Sequence, residues 1–451
     1  MQIKSLVFAL IFLPVVSWAE TVTPEKKQNT EITMTTTQAM QLAGTLVDNG
    51  DFEHALQILT KTPKMNNVAL EIERWFLLAQ IAQKQGDYDS AIKIYQKILD
   101  DQPDLARIRF ELATCYMHKK QWYRADYHLR LAMAGKDLQE NAKQLMNYYR
   151  WIVRQNKNWN VWFNFGAAPD NNIYNAVGGT ECVNTMFGPM CRDLSDPEYV
   201  IGYNFSLGGN YEFKLSDHWR WKSDAFVYSN IYDISDYDDL YLSVGSGPRY
   251  IWNRGDIWLA AIWNRRWYGW ERYNWSYGLK LDMNYDFTRR LSGGLYLQYT
   301  NNTYDLYDDF LSGNTYSSQL RLTYSFNASL YATARVGLSR EVAANDQYSY
   351  WQPGFGVGIG AELPWGFHVY AEPYLYWTAY DDAKWVVHNG DFKQITERDF
   401  IQRYSVSISN NKFDIWGFVP TVVFGYTHRD SNIWQREFDK FTAEFTMRQR
   451  F

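Results

Sequence analysis

Seven histidines, at positions 54, 118, 128, 218, 368, 388 and 428, are the residues from which metal or hydrolytic chemistry would be built. A zinc site needs imidazoles or thiolates at short fixed spacings, and a zinc protease needs two histidines one helical turn apart with a glutamate between them. None of the seven stands in such a context. His428 and Asp430 have the types of a base and its orienting acid, but a base works only beside a nucleophile, and the pair reads instead as polar groups of a lumen or rim. The doublets Asp238-Asp239, Asp308-Asp309 and Asp381-Asp382 offer oxygen ligands for calcium or a lipopolysaccharide bridge, and read more simply as solvated loops. No catalytic, cofactor or metal residue is assigned, and the chain is not expected to be an enzyme.

The elements around these residues point elsewhere. Lys4, the apolar run Leu6 to Val16 and the small-x-small triplet Ser17-Trp18-Ala19 read as a secretory signal over residues 1–19. No cysteine follows the expected cut, so no lipid anchor is expected there. Residues 20–35 read as a linker. In an exported chain the three cysteines leave at most one internal pair, and Cys182 and Cys191, nine residues apart, are the candidates, with Cys115 in the other domain. The balance of 45 basic and 50 acidic residues gives a net charge of -5, which names no nucleic acid or anionic membrane as partner. Beyond the signal no apolar stretch approaches the ~20 residues of a spanning helix. Aromatic residues, 18% of the chain, concentrate after residue 158, which marks a domain boundary.

Residues 36–157 repeat. Trp75, Leu78, Ala79, Gly86, Tyr88, Ala91, Tyr95, Ile98 and Pro103 have the spacing of a tetratricopeptide unit. A shift of about 34 residues gives Leu112, Ala113, Tyr116, Trp122, Ala125, Leu129 and Ala132, and a shift backwards gives Leu42, Ala43, Gly50, Phe52, Ala55 and Leu59. Three such helix pairs are the least that bury a continuous core, and residues 136–157 supply a closing helix. The face built from the first helix of each pair would hold a client through Phe76, Gln80, Gln83, Phe110, Thr114 and Met117. The simpler alternative is a helical spacer.

From Trp159 the apolar period changes from 3.6 to 2, the mark of strands with one apolar and one polar face. Trp275, Tyr277, Leu279, Leu281, Met283, Tyr285 and Phe287 alternate with Ser276, Gly278, Lys280, Asp282, Asn284 and Asp286. Runs of this length with Trp258, Trp263, Trp267, Tyr268 and Trp270 near their ends predict a lipid-embedded barrel with aromatic girdles. About fourteen strands fit, starting near positions 159, 200, 219, 240, 257, 274, 291, 316, 330, 355, 367, 400, 421 and 440. Residues 166–172 hold turn formers and read as a tight turn after the first strand. The last strand, with Phe441, Phe445 and the terminal Phe451 on one face, reads as the signal used by the barrel assembly machinery. The expected fold is therefore an α-helical tetratricopeptide domain followed by a ~14-stranded antiparallel transmembrane β-barrel (158–451), in a bacterial outer membrane with the helices in the periplasm.

The pairing of these domains, the segment Ala-Pro-Asp170-Asn171-Asn172-Ile, the connection His-Arg-Asp-Ser431-Asn432-Ile433 and the terminal Arg-Gln-Arg-Phe resemble the surface lipoprotein assembly modulators, the Slam family. The resemblance implies a type XI secretion translocon. It would carry a surface lipoprotein, or a soluble haem- or iron-capturing protein, across the outer membrane, with periplasmic chaperones and outer-membrane lipid as further partners. An exopolysaccharide export porin with a tetratricopeptide scaffold is the alternative.

Overall fold

A computed structural model describes residues 34–63, 65–135, 138–410, 412–413 and 418–449. The expected signal (1–19), most of the linker and Phe451 lie outside them.

Seven helices come first: α1 (Thr36–Asp48), α2 (Phe52–Lys61), α3 (Val68–Lys84), α4 (Tyr88–Asp101), α5 (Ala106–His118), α6 (Trp122–Met133) and α7 (Glu140–Asn156). Their ends follow from local chemistry. Thr35 and Gln38 form a capping box, and Asp51, Asn67 and Asp87 accept from the exposed N–H groups of α2, α3 and α4. The turn inside each pair needs one left-handed residue: Gly50 (φ 81), Gly86 (φ 84) and, in the third pair, Lys120 (φ 59). Ala43, Ala55, Ala79, Ala91, Ala113 and Ala125 are fully buried, which lets the helices approach closely, and Tyr95, Leu112, Tyr116 and Leu129 fill the space between them.

The strands are β1 (Trp159–Asp170), the hairpin β2 (Thr180–Thr185) and β3 (Gly188–Asp193), β4 (Val200–Lys214), β5 (Trp219–Tyr232), β6 (Asp239–Trp252), β7 (Gly255–Tyr268), β8 (Glu271–Asp286), β9 (Leu291–Tyr304), β10 (Gly313–Ser325), β11 (Leu330–Ala343), β12 (Tyr350–Glu362), β13 (Phe367–His388), β14 (Asp391–Asn410), β15 (Phe418–Ser431) and β16 (Phe438–Gln449). All but β2 and β3 form one closed antiparallel barrel of fourteen strands in which β1 meets β16. Closure pairs the first strand with the last, from Asn164 opposite Arg448 to Asp170 opposite Thr442, as a sheet edge in lipid demands.

Alternation sorts the side chains. On β4, Ile201, Tyr203, Phe205 and Leu207 are exposed to the lipid side, while Gly202, Asn204, Ser206 and Gly208 face inward. On β12, Phe355, Val357 and Ile359 face out, and the inward positions are glycines against which tyrosines lie flat. A Cβ on Gly356 would stand 2.5 Å from the Tyr374 ring. Phe441 and Phe445 face lipid.

Two expectations are corrected. Trp258 is not a girdle residue: it is 4% exposed and faces the lumen, with the ammonium groups of Lys222 and Lys280 at 4.1 and 4.4 Å from its ring centre. Residues 166–170 form no turn, because β1 stays paired with β4 as far as Asp170 opposite Val200. Gly166 is there for close approach, since a Cβ would collide with the carbonyl of Phe445 on β16.

Candidate functional site

Only two residues, Lys157 and Asn158, separate α7 from β1, so the helical domain is held at the end of the barrel where β1 begins. Among the described residues it touches all six turns at that end. Arg220 after the β4–β5 turn donates to the carbonyl of Gln155 at 3.3 Å, and Arg154 donates to the carbonyl of Asn253 at 2.6 Å. Where β8 turns to β9, Asp286 pairs with Arg150 at 2.8 Å and also with Arg154. The Ala328 N–H donates to Asp104 at 2.9 Å, Arg109 donates to Glu362 at 2.5 Å, and Lys412 stands 4.0 Å from Asp101. Tyr127 adds a second donor to Glu362, and Arg109, with no exposed surface, also donates to the carbonyl of Pro103.

Between the domains lies a cavity of about 890 Å³, walled by α4, α6 and α7 on one side and by the inward positions of the barrel on the other. Asp126 stands at its helical wall, 2.7 Å from the Lys157 ammonium. Burial opposes the ionisation of Asp126, and the charges of Lys157, Arg130 and Arg150 outweigh it, holding the carboxyl far below the usual range. The cavity is thus a charged space between the helical domain and the lumen, with Asp126, Asp286 and Glu362 fixed in place by cationic partners.

None of the six residues expected to hold a client lines this cavity. Phe76 is 2% exposed, with the Arg107 guanidinium 4.3 Å above its ring, so it is core and offers no surface. Phe110 is half-buried and stacks on Tyr149 of α7. Gln83 receives the Tyr95 hydroxyl at 2.8 Å and donates to Thr114 at 3.0 Å and Glu111 at 3.3 Å, which ties α3 to α5. Gln80 and Met117 are half-buried. The residues that do line the mouth, Asp126, Arg150, Arg154, Asp286 and Glu362, were not singled out from the sequence. The one available signal was Arg150 and Arg154, four apart on one face of the closing helix.

Both motif segments lie at the opposite end of the barrel. Asn171 accepts from the Phe441 N–H at 2.6 Å, Asn172 donates to the carbonyl of Asp439 at 3.1 Å, and Lys440 pairs with Asp170 at 2.6 Å, so Asp170, Asn171 and Asn172 clasp β1 to β16. Asn432 donates to the carbonyl of Thr396 and accepts from the Arg398 N–H at 2.8 Å each, Ser431 accepts from the Ile433 N–H at 3.1 Å, and Ile433 is buried, which ties the β15–β16 connection to the outer part of β14. Cys182 and Cys191 are disulfide-bonded across the β2–β3 hairpin, which leans on the β13–β14 tip through an Asn184 N–H to Gly390 carbonyl bond of 2.7 Å. The two ring nitrogens of His428 meet Asp439 at 2.8 Å and Asp430 at 3.1 Å. Of the acidic doublets, Asp238 accepts from Trp270, and Asp239 and Asp381 each hold an arginine.

Residues 119–451 match the family model described as surface lipoprotein assembly modifier, and residues 53–129 match the model of that family's N-terminal tetratricopeptide repeats. A surface lipoprotein assembly modifier of Pasteurella multocida is 22% identical over 390 residues, covering 83% of this chain and 75% of its own. Surface lipoprotein assembly modifier 1 of Haemophilus influenzae is 22% identical over 409 residues, covering 88% and 80%. Among solved structures, the outer-membrane channel DcaP of Acinetobacter baumannii aligns with 65% of this chain and 97% of its own at 9% identity, with a TM-score of 0.36.

Proposed function

The chain belongs to the surface lipoprotein assembly modifier family, and from that premise we propose that it moves a specific client protein from the periplasm through its outer-membrane barrel to the cell surface or the medium. The client is a surface lipoprotein or a soluble haem- or iron-capturing protein. One observation carries the reading: the helical domain is seated on all six turns of the barrel's near end and leaves a charged cavity between itself and the lumen, so a chain held by the helices is already at the mouth. The spacer alternative accounts for the seating and gives no reason for a walled cavity.

Energy for the passage comes from the client, whose folding outside withdraws it from the equilibrium. The test removes residues 20–157 behind the retained signal, with heat modifiability confirming a folded barrel. Client on intact cells, read by protease accessibility, or in the medium if soluble, is expected to fall sharply. Undiminished export by the helix-free barrel would refute presentation by the helices, and undiminished export without the whole protein would refute the translocon.

A further inference from the structure

The mouth carries positive charge that the docking of the two domains does not consume. On the cavity wall Asp126 is held by Lys157, Asp256 by Arg249, Asp286 by Arg150 and Arg154, Glu362 by Arg109, and Glu372 by Arg335. On the same wall the side chains of Arg289, Arg290 and Arg321 have no carboxylate partner among the described residues. Glu140 is held ionised first by its bond to Lys143 at 3.0 Å and only then by the Arg289 charge.

Their placement is directional. Arg289 and Arg290 stand in the β8–β9 turn at the rim, and the Arg290 carbonyl accepts from the Ser325 N–H at 2.8 Å, which sets Arg290 at the foot of β10. Ser325, Thr323 and Arg321 follow up the inner face of that strand and line the cavity, so Arg321 stands four residues, or roughly 13 Å, further in. Opposite Arg321 is Gly294, which has no side chain to cover the guanidinium.

We propose that Arg289, Arg290 and Arg321 form a cationic ladder that binds an acidic polypeptide segment passing from the periplasm into the lumen. The proposal rests on the translocation reading and names the chemistry of the segment that the mouth receives. Guanidinium groups match carboxylates in shape and form paired hydrogen bonds with them, and three in line suit an extended chain bearing several acids. The cavity has room for a stretch of extended chain and none for a folded domain. A lipid phosphate is outside the barrel wall, whereas these groups face its interior.

The full-length protein, purified in detergent, is titrated into fluorescein-labelled deca-glutamate and followed by anisotropy, with deca-lysine as the control and inorganic phosphate as a competitor. Deca-glutamate is expected to bind and deca-lysine to fail. The triple variant Arg289→Gln, Arg290→Gln, Arg321→Gln weakens binding by about tenfold or more, added salt weakens it in the native protein, and the triple Arg→Lys variant keeps most of it. Should heat modifiability show the glutamine triple misassembled, Arg321→Gln alone, an exposed position, carries the comparison. Equal binding by the native and glutamine forms overturns the proposal, and so does displacement of the probe by inorganic phosphate as readily as by unlabelled deca-glutamate. The assay uses neither client nor cells, so its failure leaves the translocation reading standing, while intact binding together with undiminished client export from cells lacking the protein would strike that reading alone.

Discussion

Phe76 illustrates why a repeat position does not say which way a side chain looks. Its place in the first helix of a pair suggested a groove, but it is packed against Tyr95, with ring centres 6.1 Å apart, in the main helical core. Phe76→Ala is therefore expected to destabilise the helical domain by about 3–5 kcal/mol through an unfilled cavity. A thermal melt showing a loss below about 1 kcal/mol would mean the ring is a surface contact after all. Lys120 gives the opposite sign: it is exposed and holds the left-handed turn that Gly50 and Gly86 hold in the other pairs. Lys120→Gly removes a steric cost and should stabilise the domain by about 1 kcal/mol, read as a raised melting temperature. Cys115 is buried, and burial followed by the nearby Glu111 charge pushes its thiol up to about 12. Iodoacetamide at pH 8 should leave it unmodified in the native protein and label it once urea unfolds the chain. What could not be read at this level were charge partners such as Arg109 and Glu362, 253 residues apart, because spacing says nothing about pairs that only the closed barrel brings together.

Strands were far easier to read than their partners. A period of two over a dozen residues has one cause in a lipid wall, and the expected starts at Trp159, Val200, Trp219, Leu291, Leu330 and Phe367 coincide with observed ones. The exceptions are physical. The start of β12 was expected at Phe355 and lies at Tyr350, because Pro353 and Gly354, residue types that usually interrupt a strand, stand inside it. The start of β14 was expected at Phe400 and lies at Asp391, because the outer part of that strand carries charge on both faces where there is no lipid to exclude it. Gly356→Val would drive a side chain into the Tyr374 ring, so it should lower the heat-modifiable folded fraction, with Phe355→Val as a tolerated neighbour. Phe441 and Phe445 face lipid on the closing strand, and removal of Phe451, the expected end of that stripe, should reduce the amount of folded barrel in the outer membrane. Unchanged assembly would show that the terminal aromatic is no signal.

The two domains form one mechanical unit because the contacts between them are ionic, partly buried and spread around the rim. Asp286 is the busiest of these groups, pairing with both Arg150 and Arg154, so Asp286→Asn leaves two guanidinium groups short of a charge at once. Removing one member of a buried pair costs about 3–5 kcal/mol. The expected result is a barrel that still assembles and a helical domain that loosens from it, seen as faster trypsin cleavage near Lys157 and Lys143. A cleavage rate equal to that of the native protein would mean that the remaining five turns hold the domain without this one. The domain order and the outer-membrane setting could be read from composition and repeats, and the family from its resemblance in the segments around Asp170 and Ser431, whereas the mouth is assembled from α6, α7 and six separate hairpins.

The seating on six turns also sets an order of events in biogenesis. The helical domain is made first and has an apolar core of its own, yet its landing platform does not exist until the last hairpin is in place, because turns from β4–β5 through β14–β15 all belong to it. The domain synthesised earliest is thus the last to settle, and its settling reports that the ring is complete. In a pulse-labelled cell, protection of the segment around Lys157 from protease should lag behind the appearance of heat-modifiable barrel and never precede it. Such an order would keep the mouth uncovered while the barrel is unfinished, and would make the docked form a checkpoint that only a finished conduit can pass.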